Sequence, residues 1–382
     1  MSNPIETTDP TTANPITTDP SAEPAIRLIT TTPAAAPTTP AHPAGAGPVA
    51  ASEARRAQQR RRRILGLTVV AAGLAVVALG VSRVPGLTDR ALDTSWWADA
   101  GRSMLAGWRT AVLNPWYWAL VAALIVAERL LPARADEGTL NVGGAQDLVW
   151  TLLAPALNLT VVALAIGGLD AVYDHVLGGA HLDLTPVVGT LGVAVLAFLV
   201  ADFGMWFTHL VRHKVPTLWH FHAVHHAPTR MNPLVDNRVH LVEPIASAAL
   251  VLIPARLLGL DGQAALALAL ATTYFTAFTH ANLRTNLGPL RFLLINPQAH
   301  RVHHSYAPEH IDTNFGTVLS IWDRMFGTWY HGEDEYPTVG IPDSRFPLET
   351  SATPGALVGG FVRQTAYPFR QCIEDIGRYR RR

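Results

Sequence analysis

Long apolar runs separated by short polar connections leave this chain few ways to fold. Residues 64–82, 112–131, 148–169 and 186–208 are nearly free of charge. Each is long enough to cross a bilayer core of about 30 Å as a helix rising about 1.5 Å per residue. Two shorter runs, 245–260 and 263–280, are joined by Gly259 and Asp261-Gly262. They read as a helical hairpin that dips in and returns, or as two more spans. Composition agrees: 49% of residues are hydrophobic and 15% charged, where soluble chains carry about a quarter charged residues. The expectation is an all-α, polytopic helical membrane protein of four to six spans with a cytoplasmic helical cap. Lys+Arg and Asp+Glu balance at 29 each, so net charge points to no nucleic-acid partner.

The segments divide the chain. Residues 1–54 form a Pro/Thr/Ala-rich tail without the apolar periodicity needed to bury a core, and are read as disordered. Residues 55–111 hold a basic anchor (Arg55, Arg56 and Arg60 to Arg63), the first span, and an interfacial segment with Trp96, Trp97 and Trp108. Residues 112–332 form the main membrane-embedded domain, and residues 333–382 a cytoplasmic C-terminal tail. No charged region followed by an apolar run opens the chain, so no cleaved signal peptide is expected. Arginines directly before a span mark the cytoplasmic side. An even number of crossings then returns the chain to that side at residue 209, and both termini are expected there. Lys214 is the sole lysine amid many arginines and alanines, which points to a bacterial cell membrane.

Sixteen histidines are present, and most lie between residues 209 and 310. His209 and His213 have HxxxH spacing. His222, His225 and His226 form HxxHH, and so do His300, His303 and His304. Positions i, i+3 and i+4 of a helix share a face, so each cluster is expected to aim two or three imidazoles at one point. Imidazole suits Fe, Zn, Cu and Ni. Eight such residues exceed what one tetrahedral zinc uses and fit a His-rich dimetal site. The lone cysteine, Cys372, excludes a Cys-ligated iron–sulfur cluster, a Cys-rich zinc site and an intrachain disulfide.

His280 returns from the hairpin to the face where the third cluster begins, and is a candidate ninth ligand. His240 stands open between ligand and neighbour of a ligand. His220 lies where a helix turns it away from His222, and is read as structural. His310 stays open, while His42, His175, His181 and His331 fall outside the site. Asp202 precedes His209 by seven residues, nearly two helical turns, and should share its face. Intramembrane carboxylates are costly and usually paired. Asp202 is therefore the candidate catalytic-site carboxylate, bonded to the imidazole N–H that does not bind metal. Asp312 and Asp323 could do the same, or Asp323 could act as a local cap.

The chain resembles the fatty acid hydroxylase / sterol desaturase superfamily of membrane histidine-box oxygenases. The resemblance rests on HLVRH (209–213), LWHFHAVHH (218–226), NPQAHRVHHS (296–305), NFG (314–316) and WDRMFGTW (322–329), and covers roughly residues 115–332. It implies two Fe ions (a diiron centre), O2 as oxidant and a lipid C–H bond as target, which makes residues 112–332 the catalytic domain. The box ligands carry onto His209, His213, His222, His225, His226, His300, His303 and His304, with His280 matching a later family histidine. Some members hold a further histidine four residues earlier, where this chain has Thr276.

The expected function is thus hydroxylation or desaturation of a membrane lipid: fatty acyl, sterol-like, carotenoid or ether lipid. No flavin or nucleotide fingerprint is present, so electrons should come from a separate donor, a ferredoxin or a cytochrome with its reductase. The alternative is a membrane metal-binding or metal-transport protein, which would place histidines along a path within several spans.

Overall fold

In the computed structural model, residues 105–259 and 272–380 are described continuously, with isolated positions between 61 and 102. The tail at 1–54, the basic anchor, most of the run 64–82 and part of 263–280 lie outside the described residues.

Helix α1 (Pro115–Leu130) starts where Asn114 accepts hydrogen bonds from the Trp116 and Tyr117 N–H groups, with Pro115 at its first position. Both features favour a helix start, since the cap satisfies orphan donors and proline has no N–H to waste. Asn141 caps α2 (Val142–Leu177) in the same way through Gly144 N–H, and Gly178 closes it in the left-handed conformation. The next helix, α3 (Thr185–Lys214), is bent at Gly189, whose φ is 69°. It ends at Val215, because Pro216 opens α4 (Pro216–His226) and cannot continue the helical hydrogen-bond ladder. There follow α5 (Val242–Leu257), α6 (272–280), the short α7 (Pro297–His303) capped by Asn296, α8 (Ile321–Phe326) and α9 (Pro354–Arg380). Among the described residues there is no strand, only three isolated bridges. The all-α expectation holds there.

Two described helices, Leu105–Leu130 and Thr185–Lys214, are long and apolar enough to cross a membrane. They coincide with the runs expected at 112–131 and 186–208. The run 148–169 falls inside α2, which is about 54 Å long at about 1.5 Å per residue. Helices α2, α3 and α5 pack side by side. At one end, Leu182 N–H bonds Leu257 O at 2.7 Å and Arg256 pairs with Asp174 at 3.3 Å. All the clustered histidines lie at the other end.

That end is tied together by buried polar groups. Arg301 donates two hydrogen bonds to the Glu137 carboxylate, at 2.9 and 3.2 Å, and one to Asn282 Oδ1 at 2.7 Å. Asn282 N–H donates to Glu128 on α1 at 2.7 Å. A second knot surrounds Arg238, which is fully buried. It pairs with Asp147 and with Glu349, while Asn232 donates to Asp147 at 2.7 Å. The C-terminal residues close over this knot: Trp150 Nε1 donates to Gln364 at 2.8 Å, and α9 packs on α4 and α2.

Removing one partner of a buried ion pair leaves an uncompensated charge and typically costs about 3–5 kcal/mol. Arg238→Leu strands both Asp147 and Glu349. It is expected to lower unfolding stability by about that amount, measured by denaturant titration in mixed micelles. A loss below about 1 kcal/mol, within the range of exposed pairs, would contradict this account of the knot.

Candidate metal centre

Nine histidines converge in two groups. His209, His213, His222, His226 and His303 form one, and His225, His280, His300 and His304 the other. Within each group the potential donor nitrogens lie within 4.8 Å of one another. The spatial groups differ from the sequence clusters. Successive helical residues are rotated by about 100°, so i+3 and i+4 point to opposite sides of i. Helix α4 therefore gives His222 and His226 to the first group and His225 to the second. Helix α7 and its cap do the reverse, giving His303 to the first and His300 and His304 to the second. Each HxxHH box thus aims two of its three rings at one point, within the two or three expected from spacing. The His226 and His304 rings stack at 4.2 Å and join the two groups.

The nitrogens face one another as metal donors do. His226 Nε2 is 3.2 Å from both His213 Nε2 and His222 Nε2. His280 Nε2 is 3.2 Å from His225 Nε2 and 2.9 Å from His300 Nε2, which is itself 3.2 Å from His304 Nε2. A ring nitrogen carries one proton or one in-plane lone pair, so it cannot serve two such neighbours by hydrogen bonding alone. Ligands about 2.0–2.1 Å from a metal and at right angles to each other are about 3 Å apart, close to the spacings seen. His209 Nε2 and His303 Nε2 are buried without a hydrogen-bond partner. Burial and the neighbouring rings hold His222, His225, His226, His300 and His304 well below the usual imidazole range, and burial lowers His303 to about 4. They are neutral at pH 7, the form that binds metal. The donor set therefore fits two metal ions, with five and four imidazoles available.

Outer hydrogen bonds set the ring orientations. With its other nitrogen turned to the cluster, Nδ1–H of His209 donates to Phe315 O at 2.9 Å. That of His303 donates to Thr313 O at 2.7 Å, and that of His280 to Thr276 O at 2.8 Å. His222 Nδ1 lies 2.7 Å from Glu243 Oε2, an acid that sequence reasoning missed. Glu243 is also 3.5 Å from Arg212 and accepts from His240 N–H at 3.1 Å. Its place three residues after His240, in the first turn of α5, was the available signal. Asp236, also missed, lies 3.7 Å from His280 and accepts from Thr276 Oγ1 at 2.7 Å. Thr276 thus orients His280 rather than adding a donor.

Two expected roles are corrected. His240 belongs to neither group: Nδ1 accepts from Val242 N–H at 3.2 Å, and Nε2–H donates to Thr365 O at 3.1 Å. Both nitrogens are committed, and the ring packs against Phe221 and Phe369. Asp202 bonds no imidazole. It accepts from Val318 N–H, Leu319 N–H and Trp322 Nε1 at 3.1, 3.2 and 2.9 Å, so it anchors the segment leading into α8. Asp323 is the local cap, accepting from Phe315 N–H, Gly316 N–H, Trp206 Nε1 and Thr328. Asp312 pairs with Lys214 at 2.6 Å, His310 with Glu335, and His220 with Asp375. His175 and His181 lie toward the opposite end of the bundle, on the last turn of α2 and the turn after it.

Comparison with known proteins places this arrangement. The family model for fatty acid hydroxylase matches residues 194–328, spanning the end of α3 through α8. Ornithine lipid hydroxylase OlsE of Rhizobium tropici is 32% identical over 272 residues, covering 67% of this chain and 75% of that protein. Alkylglycerol monooxygenase of Danio rerio is 34% identical over 145 residues, with 37% of this chain and 31% of that protein covered. Human cholesterol 25-hydroxylase is 25% identical over 128 residues, 33% of this chain and 46% of its own length. No solved structure matches. A protein helical throughout its described residues, with paired histidine groups and these relatives, is an oxidoreductase of the lipid-hydroxylase class. The chain belongs to the fatty acid hydroxylase family.

Loss of an outer hydrogen bond to a metal-binding histidine typically costs about 10–100-fold in affinity or activity. Glu243→Gln keeps the shape and removes the charge facing His222, so iron retention or turnover per folded chain should fall in that range. Unchanged values in matched membranes would remove Glu243 from the site. Asp202→Asn should instead lower thermal stability while iron per folded chain stays near wild type, because its contacts are all to residues 318–322.

Proposed function

We propose that this protein is an O2-dependent diiron oxygenase of the membrane that hydroxylates a lipid. The observation that carries the proposal is the partition of nine imidazoles, eight buried and His213 half-buried, into two adjoining donor groups, a set too large for one tetrahedral zinc. In this reading His209, His213, His222, His226 and His303 hold one iron, and His225, His280, His300 and His304 the other. When bound, the iron pair supplies the reduction of O2 and the oxidation of an unactivated C–H bond. The residues of the chain do the rest. Glu243, Thr276 O, Thr313 O and Phe315 O fix the rings. The burial of eight of the nine donor rings, with His213 half-buried, keeps bulk water from the reacting carbon. Binding of the lipid in a fixed pose supplies the orientation, which is the protein's main lever in such chemistry. Electrons come from a separate ferredoxin, or from a cytochrome and its reductase.

Hydroxylation is favoured over desaturation because the relatives are named hydroxylases and monooxygenases. Among their substrates, a polar acyl lipid of the ornithine-lipid kind fits best. That relative is matched along 67% of this chain, whereas the sterol enzyme is matched along 33%.

The same proposal sets the chain in a membrane, with catalytic domain 112–332, the histidine end and both termini on the cytoplasmic side. Val187, Leu191 and Val195 form an exposed apolar stripe on α3, as a lipid-facing helix requires. The arginines before residue 64 give the orientation. Cysteine introduced at Gly178, at the far end of the bundle, should label with impermeant reagent in intact cells, and one at the exposed Glu309, at the histidine end, should not. The reverse pattern would overturn the orientation.

Protein made under iron-replete conditions should hold about two irons per chain, read by elemental analysis and Mössbauer spectroscopy. His225→Ala and His303→Ala each open one group and should abolish product formation, since a displacement of about 1 Å at a reacting centre can cost ~100-fold. Both variants should still insert into membranes. The product is a lipid that has gained one oxygen atom, lost from the lipid profile of a deletion strain. Wild-type turnover in both variants, or full activity after iron chelation with zinc alone bound, would sink the proposal.

A further inference from the structure

The C-terminal helix α9 carries an apolar stripe that none of the described residues covers. Val358, Val362, Phe369, Ile373 and Ile376 are between 38% and 68% exposed. At about 100° per residue these five positions fall within about 60° of one another. The neighbouring side of the helix is buried. There Leu357 and Phe361 are less than 9% exposed, Phe361 packs edge-on against Trp150 at 4.6 Å, and Gln364 accepts from the same indole. On the other flank of the stripe stand the exposed Arg363 and Arg370, and the chain ends in Arg378 and Arg380 to Arg382.

The place of the stripe identifies what covers it. Trp150 and Ala154, both buried and both in the cluster with Phe361, lie on the stretch of α2 that reads as the start of a span. Leu153 and Leu157, on the adjoining face of α2, are 38% and 43% exposed. Around α9 the order is therefore protein contact, apolar stripe, arginines. The stripe continues the exposed apolar face of a helix entering the bilayer, and the arginines lie where phosphates would. An apolar face inserted to the acyl boundary with basic residues at headgroup level is the physical signature of an interfacial helix. Arginines at that level favour anionic lipid by attraction to its phosphates. We propose that α9 lies in the headgroup layer of an anionic bilayer, with Val358, Val362, Phe369, Ile373 and Ile376 in the acyl boundary and Arg363 and Arg370 on lipid phosphates. This rests on the membrane placement given above. Because α9 also carries Thr365 and Asp375, which bond His240 and His220, the contact seats the histidine-bearing α4 against the membrane surface.

The test uses full-length protein in a Cys372→Ser background, reconstituted in nanodiscs and labelled with a small fluorophore at single introduced cysteines. Acyl-brominated phospholipids serve as quenchers. Val195→Cys on α3 reports whether the bundle is in the bilayer at all, so failure of the membrane reading shows there first. With that control quenched, Val362→Cys and Ile373→Cys should be quenched several-fold more than Glu374→Cys, which sits across the helix from the stripe. Quenching at 362 and 373 should be stronger in phosphatidylglycerol than in phosphatidylcholine. The combined Arg363→Gln and Arg370→Gln variant should lose that preference. Equal quenching at 373 and 374, or none at 362 and 373 with Val195 quenched, overturns the proposal. Disulfide cross-linking between chains at Ile373→Cys without lipid quenching would assign the stripe to a second copy and overturn it too. Equal quenching of the wild-type arginine background in the two lipids would overturn the role of Arg363 and Arg370.

Discussion

The fold around the histidines depends on one buried guanidinium. Arg301 is 1% exposed, adjoins His300, and donates to both Glu137 and Asn282. Asn282 follows His280 by two residues and also bonds Glu128 and the Arg134 carbonyl. Segments far apart in sequence (the end of α1, the connection to α2, the end of α6 and all of α7) therefore meet on one charge. The seven-residue α7 is too short to hold itself, since isolated helices below about 12–15 residues are marginal. Its asparagine cap and Arg301 are what keep its imidazoles pointing inward. A buried pair of this kind is weak evidence for net stability. Its value lies in fixing which carboxylate and which amide the helix must face.

Within that frame the two HxxHH boxes act as complementary halves. A helix cannot present i, i+3 and i+4 to one point, but it can present two of them to one side and the third to the other. With α4 and α7 set against each other, the division 222/226 against 225 is matched by 303 against 300/304. The remaining donors complete each group from opposite directions, His209 and His213 from α3 and His280 from α6. The arrangement needs every ring fixed through its outer nitrogen or by packing. Those outer partners are mostly backbone carbonyls, at Thr276, Thr313 and Phe315, which mutation of side chains cannot easily remove.

This explains which parts were legible beforehand. The apolar runs at 112–131 and 186–208 show because length and lack of charge are properties of the segment itself. The box residues show because their spacing is local. Spacing left open whether two or three rings of a box meet at one point, because sharing a helical face is not sharing a point. The role of Asp202 was misread for a related reason: seven residues place it on the His209 side of α3, but 318–322 comes between it and any ring. His240 lies near the boxes in sequence, yet its local turn and the Thr365 carbonyl of α9 give both its nitrogens main-chain partners. Glu243 shows only by its place three residues after His240, and Asp236 carries no spacing signal. Their contacts to His222 and His280 exist only after α5 folds back along α3 and the loop before it reaches α6.

The elbow at Val215 and Pro216 governs where the chemistry takes place. Helix α3 runs from exposed apolar residues such as Leu191 to His209, a rise of about 27 Å at about 1.5 Å per residue, close to the ~30 Å thickness of a hydrocarbon core. Proline then ends the helix, and α4 brings His222, His225 and His226 back over the end of α3 instead of carrying them outward. Under the proposed function the donor groups are thereby held near the bilayer edge, at a depth fixed by backbone chemistry. Under the proposed function, that depth acts as a selection rule. A lipid anchored by its headgroup brings carbons near its polar end to the site without leaving the membrane, whereas carbons at the chain terminus would have to bend back across most of the core. The geometry of one proline thus bears on which C–H bond is within reach, independently of the chemistry that breaks it.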